Sequence, residues 1–165
     1  MPDLLASLHN HDLGHVRIVA ELWGLELDSR QRDAAAEELV AALLDPELVR
    51  ETLDILPAEA HAALDALLAA GGRIPWAGFA RRFGEIREMG AGKRDREQPH
   101  RKPASAAEML FYRALLAKAF FDTDKGAQEF AYIPDDLFSI IYRDERKENS
   151  GEILGRPATP VEKAH

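Results

Sequence analysis

The sequence predicts a mainly α, α+β protein in which an N-terminal helical segment packs on a winged-helix-like domain with a small β-hairpin wing. Three observations predict this. Apolar residues recur at three- and four-residue spacing as far as residue 70, and no strand pattern interrupts them. Strand-like alternation, in Phe130 and Tyr132 against Glu129 and Ala131, comes only after residue 118. Between residues 57 and 133 the order is helix, short strand, helix, helix, hairpin, which is the winged-helix order. The expected division is a helical subdomain over 1–55, a winged-helix-like domain over 56–141 and a charged, disordered tail over 142–165.

The elements follow in turn. Pro2 to Leu8 is a short amphipathic helix, and Asp12 to Trp23 a second one, with Leu13, Val16, Val19, Ala20 and Trp23 inward and Gly24 as its stop. Asp28 or Ser29 can cap a third helix reaching Leu44, whose outer face holds Arg32, Asp33, Glu37 and Glu38. Asp45-Pro46 restarts the chain, with the aspartate as N-cap and the proline at the first helical position. A helix from Pro57 to Ala70 places Ala60, Leu64, Leu67 and Leu68 on one stripe and ends at Gly71-Gly72.

Arg73-Ile74-Pro75 reads as extended, because the residue before proline avoids the helical region. Trp76 to Phe83 is helical again. Residues 84–103, broken by Gly84, Gly90, Gly92, Pro99 and Pro103, read as a long loop with at most a turn at Glu85 to Met89. Ser105-Ala106-Ala107-Glu108 is a capping box that opens a helix to about Lys118. Strands at Ala119 to Asp122 and Gln128 to Ile133 flank a turn at 123–127, and Pro134-Asp135-Asp136 starts a last short helix ending at Ile141.

The chain has 165 residues and no cysteine. It can bury an ordinary core without disulfides, as befits a reducing cytosol. No basic-then-apolar leader opens it and no apolar run approaches the roughly 18 residues of a membrane span. A cytoplasmic protein with no membrane partner is expected.

The net charge of −8 argues against general adhesion to polyanions. It hides a gradient. Residues 1–80 carry 5 basic and 14 acidic side chains, residues 81–103 carry 8 and 4, and residues 104–165 carry 8 and 11. The basic island is the candidate site. Arg81, Arg82 and Arg87 flank the end of a helix, and Lys93, Arg94, Arg96, Arg101 and Lys102 follow in the expected loop. Lys125 sits at the hairpin turn. Such cations can lie along a phosphate backbone. The plainer alternative is that Glu85, Glu88, Asp95 and Glu97 pair with them locally.

The helix expected over 105–118 has no polar stripe. Glu108, Arg113 and Lys118 point in separate directions while Met109, Leu110, Phe111, Leu115 and Leu116 surround it, so it is either a core helix or an apolar docking face. His9, His11 and His15 raise the question of a metal. His11-Asp12-Leu13-Gly14-His15 is not the His-Glu-x-x-His of a zinc protease, and helix-start histidines explain it. Gly90-Ala91-Gly92-Lys93-Arg94 lacks the earlier glycine of a P-loop, since that position is Arg87, and Arg94 stands where Ser or Thr is needed. No Gly-x-Ser-x-Gly elbow, cysteine nucleophile or dinucleotide fingerprint is present. No catalytic residue, metal or cofactor is expected.

Several stretches carry a resemblance: Leu67 to Pro75, Phe79 to Gly90, Arg96-Glu97-Gln98-Pro99, Ala107 to Tyr112 and Glu129 to Leu137. Together they resemble the N-terminal region of uncharacterised bacterial helicase-associated proteins, loosely related to the N-terminal domain of XPB-type helicases. The likeness covers roughly residues 57–141 and includes no catalytic motif. Asp12 to Leu44 is similar in layout to a SAP or Rho-N-like helical hairpin. Only Arg30 and Arg32 are cationic there, against Asp28, Asp33, Glu37 and Glu38, a departure from a DNA-contacting hairpin. These resemblances imply a non-catalytic accessory module associating weakly with DNA or RNA, or with a DNA-processing assembly, through the basic loop. The alternative is a scaffold that docks another protein domain through apolar winged-helix surface.

Overall fold

The computed structural model describes residues 1–155, with side chains described as far as Glu145. The N-terminal third is helical: α1 (Leu4–Ser7), α2 (Leu13–Leu22), α3 (Arg32–Leu43) and α4 (Pro46–Asp54). Then come α5 (Ala58–Ala69), β1 (Arg73–Pro75), α6 (Trp76–Phe83), α7 (Ala91–Glu97), α8 (Ala106–Phe111), β2 (Ala117–Thr123), β3 (Gly126–Tyr132) and α9 (Asp135–Gly155). The fold is α+β with a hairpin. The three strands form one antiparallel sheet in the order β1-β3-β2. Arg73 pairs with Tyr132 on one side of β3, and Ala117 pairs with the same residue on the other.

Two local signals act as read: Asp45 caps α4 with Pro46 behind it, and Ser105 caps α8 through the Glu108 amide. Asp12, expected as the first residue of the second helix, is its cap instead and accepts from the His15 amide. The third helix is an exception: Gln31 occupies its cap with no side-chain bond, and Glu38 reaches back to the amides of Asp28 and Ser29 at 2.8 and 3.1 Å. Arg32 is not an outer-face residue either. Its guanidinium donates to the carbonyls of Leu8 (2.6 Å) and His11 (2.8 Å), closing the end of α1.

Four expectations fail, each for a physical reason. The helix begun at Ser105 stops at Phe111 rather than near Lys118, because Ala114 adopts a left-handed φ of 60° and the Leu115 amide bonds the Leu110 carbonyl at 3.1 Å. This is the same 6→1 bond that follows Gly24 (Leu25 to Ala20) and Gly71 (Gly72 to Leu67), with alanine in the glycine position. The residues released extend β2 back to Ala117, and the turn shrinks to Asp124-Lys125 between Thr123 and Gly126. The expected loop over 84–103 contains α7. A helix of this length is marginal alone, and its tertiary anchor is described below. Finally, the chain from Tyr142 to Gly155 is not a disordered tail but a continuation of α9. Arg50 of α4 holds that continuation through Asp144 at 2.6 Å. Residues 156–165 of the expected tail lie outside the described residues.

One apolar cluster serves the whole assembly, running from Leu4, Leu8 and Val16 through Leu39, Leu64 and Phe79 to Leu110, Ile133, Leu137 and Ile141. The cluster draws side chains from both sides of the division expected near residue 55. The chain start is tied to α9: the Leu4 amide donates to Asp136 Oδ1 and the Asp135 amide to the Pro2 carbonyl, both at 2.9 Å. No helix among the described residues is long and apolar enough to cross a membrane.

Candidate functional site

The basic island separates into two populations. Arg87, Arg94 and Arg101 are turned onto carboxylates far away in sequence. Arg94 of α7 is only 7% exposed, and its guanidinium spans both oxygens of Asp12, Nη1 to Oδ1 at 2.6 Å and Nη2 to Oδ2 at 3.0 Å. Asp95 adds a further contact at 3.1 Å. The paired guanidinium, with burial opposing it, lowers the Asp12 carboxyl to about 2.

Arg87 makes a second fork, onto Glu108, whose side chain is fully buried. Nε and Nη2 reach Oε2 and Oε1 at 2.9 Å each, while the amides of Arg87 and Ala104 donate to the same carboxylate at 2.8 Å. Burial alone would raise the Glu108 pKa, but the four hydrogen bonds outweigh it and the net direction is down. Arg101 joins His100 on Glu21 of α2, at 3.0 and 3.3 Å. The acidic N-terminal part and the basic island thus neutralise each other in part.

The remaining candidates face outward. Arg81, Arg82, Arg96, Lys102 and Lys125 are exposed and have no carboxylate within 4.0 Å among the described residues. Arg82 instead rests over the Phe83 ring, 4.7 Å from its centroid. Lys93 is exposed and pairs loosely along its own helix with Glu97, at 3.9 Å. The plainer local-pairing alternative holds for Lys93 and Asp95, whereas the strongest partners, Asp12 and Glu108, were outside it. The helix α8 offers no groove-reading surface, since Ala106, Ala107, Glu108 and Leu110 are buried.

The two arginine forks also form part of a feature that spacing does not announce. Between α2, α7, α8 and the start of β2 lies a cavity of about 580 Å³. His11, Asp12, His15, Arg94, Phe111 and Tyr112 line it. The rings of His11 and His15 stack at 3.9 Å with an interplanar angle of 17°, and Phe111 meets each of them at 5.2 to 5.5 Å. His15 is 4% exposed and Tyr112 3%. Burial, with His11 and Arg94 adding to it, pushes His15 down to about 3, so its imidazole is neutral at physiological pH. His11 moves in the same direction, chiefly by burial. Tyr112 is raised by burial and by Glu108.

The one-turn spacing of His11 and His15 was the signal available in the sequence, and it does bring the two rings together. Asp12, however, is taken by Arg94, and no three His, Asp or Glu side chains among the described residues converge as a metal site requires. Tyr112, the C-cap of α8, lines the cavity with no spacing signal to announce it. No family model, curated protein or solved structure matches the chain.

Proposed function

We propose that this protein is a non-catalytic, cytoplasmic accessory module that associates weakly with nucleic acid, or with an assembly that processes it. The observation that carries this reading is the set of exposed cations, Arg81, Arg82, Arg96, Lys102 and Lys125, without carboxylate partners among the described residues of a chain of net charge −8. The order α5, β1, α6, α8 and the β2-β3 hairpin, with α7 as an additional helix between α6 and α8, and the sheet order β1-β3-β2 support the winged-helix reading. With α8 buried, contact falls to phosphates and not to base edges in the major groove, so binding is insensitive to duplex sequence.

The test is salt-dependent binding to single- and double-stranded DNA. If four cations meet phosphates, log K falls against log salt with a slope of about −3 to −4. Charge reversal of Arg81, Arg96 and Lys102 to Glu abolishes the binding; affinity unmoved by salt and by these changes sinks the proposal. A second reading, docking of a protein partner through apolar surface, finds its support in Phe120, which is 68% exposed on the edge strand β2. Phe120→Glu separates the two, since it leaves the cations in place.

A further inference from the structure

We infer that the cavity between α2, α7 and α8 is a binding site for a neutral, planar nitrogen heterocycle of the nucleobase class. Its volume of about 580 Å³ falls in the range of small-molecule pockets. Two side chains that line it, His15 and Tyr112, are more than nine-tenths buried. Among the described residues neither imidazole nitrogen of His15 nor the Tyr112 hydroxyl has a hydrogen-bond partner, and none of these atoms is sealed from the cavity. Both side chains therefore keep polar atoms open to the cavity and uncommitted within the protein, 5.7 Å apart between ring centroids, so a ligand there can take up hydrogen bonds that water otherwise fills.

The chemistry of the walls narrows the class. Arg94 and Arg87 also line the cavity, but Asp12 and Glu108 already neutralise them through two-point pairs. The ammonium of Lys118 sits over the Trp76 ring at 4.6 Å, and the lining also includes the carboxylate of Glu88, so the cavity carries no one-sided charge. No unpaired guanidinium remains to select an anion. A neutral imidazole gives one donor and one acceptor and a phenol gives both, which matches a ring edge that alternates donors with acceptors. The His11 and Phe111 rings supply faces for stacking, and Ile86 and Met89 close the apolar side. The site uses none of the exposed cations, so it stands whether or not those cations bind nucleic acid.

The experiment is a titration of the full chain at neutral pH with adenosine, cytidine and uridine, beside ribose 5-phosphate, reading the imidazole and tyrosine ring signals by NMR. A saturable shift of the His11, His15 and Tyr112 signals with at least one nucleoside, and none with ribose 5-phosphate, is expected. Tyr112→Phe removes only a hydroxyl that holds no internal bond, so it keeps the fold and weakens the nucleoside about tenfold. His15→Phe preserves a ring in the stack and provides a second, independent loss. Three results overturn the inference: no saturable shift with any nucleoside, equal response to ribose 5-phosphate, or unchanged affinity in both folded variants.

Discussion

Arg94 and Asp12 lie 82 residues apart in sequence and meet through two hydrogen bonds of 2.6 and 3.0 Å, joining the only charged residue of α7 that is buried to the cap of α2. The pair is asymmetric: the arginine side chain is 8% exposed and the aspartate 49%. Removing the aspartate leaves the buried cation with only the contact to the exposed Asp95, whereas removing the arginine returns a carboxylate to water. Asp12→Ala is therefore expected to cost about 2 kcal/mol, the sum of a lost cap and a weakened charge pair, and Arg94→Leu about 1 kcal/mol. Urea unfolding of the two variants checks the order, and a larger loss for Arg94→Leu would contradict it.

Gly14 gives an independent probe of the same contact. A Cβ there would overlap Arg94 Nη2. Gly14 is the second residue of α2, where alanine in place of glycine ordinarily stabilises by somewhat less than about 1 kcal/mol, yet here it must first displace the guanidinium. Gly14→Ala is expected to lose stability in the parent chain and to gain it in an Arg94→Leu background, a sign change visible in a double-mutant cycle.

Glu108 carries four hydrogen bonds in a fully buried position. Arg87→Ala removes the paired charge and leaves that buried carboxylate with only the amides of residue 87 and Ala104, and is expected to destabilise by about 2 to 4 kcal/mol. Glu108→Gln, which turns two acceptor positions into donors, costs about 2 to 4 kcal/mol. Thermal unfolding measures both; a change within half a kcal/mol in either would mean that the fork is dispensable.

Acid destabilisation should begin well above the carboxylate range. His15 has a folded-state pKa of about 3 against an ordinary value of 6.5, so the unfolded chain binds the extra proton between these limits. Its contribution is intact above about 6.5 and is lost as pH falls, amounting to about 2 kcal/mol between about pH 7 and about pH 5. His11 and His100 are lowered as well and add in the same direction. Asp12, lowered to about 2, loses its contribution only when pH drops below its ordinary value of 3.8. The His15→Phe variant should show a flatter stability curve between about pH 5 and about pH 7 than the parent.

How much of this was legible in the sequence depended on whether the signal was local. Asp45, Ser105 and the Gly71 stop act within a few residues of themselves and are legible directly. Ala114 performs a glycine's task with no glycine's signature, so the end of α8 is invisible in the sequence, and with it the extension of β2. The helix α7 was obscured by Gly90 and Gly92, since its stability comes from Asp12 and not from its own composition. The basic island was visible as a charge count. Which of its members were spoken for was not, because Asp12, Glu21 and Glu108 are brought to it only by the fold. The three locked arginines show why charge reversal at Arg94 would test folding and not binding, and why Arg96 and Lys102 are the informative positions.

The ties between the chain start and α9 bear on biosynthesis. The amide of Leu4 waits for Asp136, and the carbonyl of Pro2 for the amide of Asp135. The α1 segment is thus fastened by residues 132 positions later, so α1 is not secured until α9 has been made. A chain ending at Ile133 should lose exchange protection over residues 1–8 as well as the missing helix, leaving Leu4 and Leu8 uncovered for chaperones or aggregation until α9 has emerged.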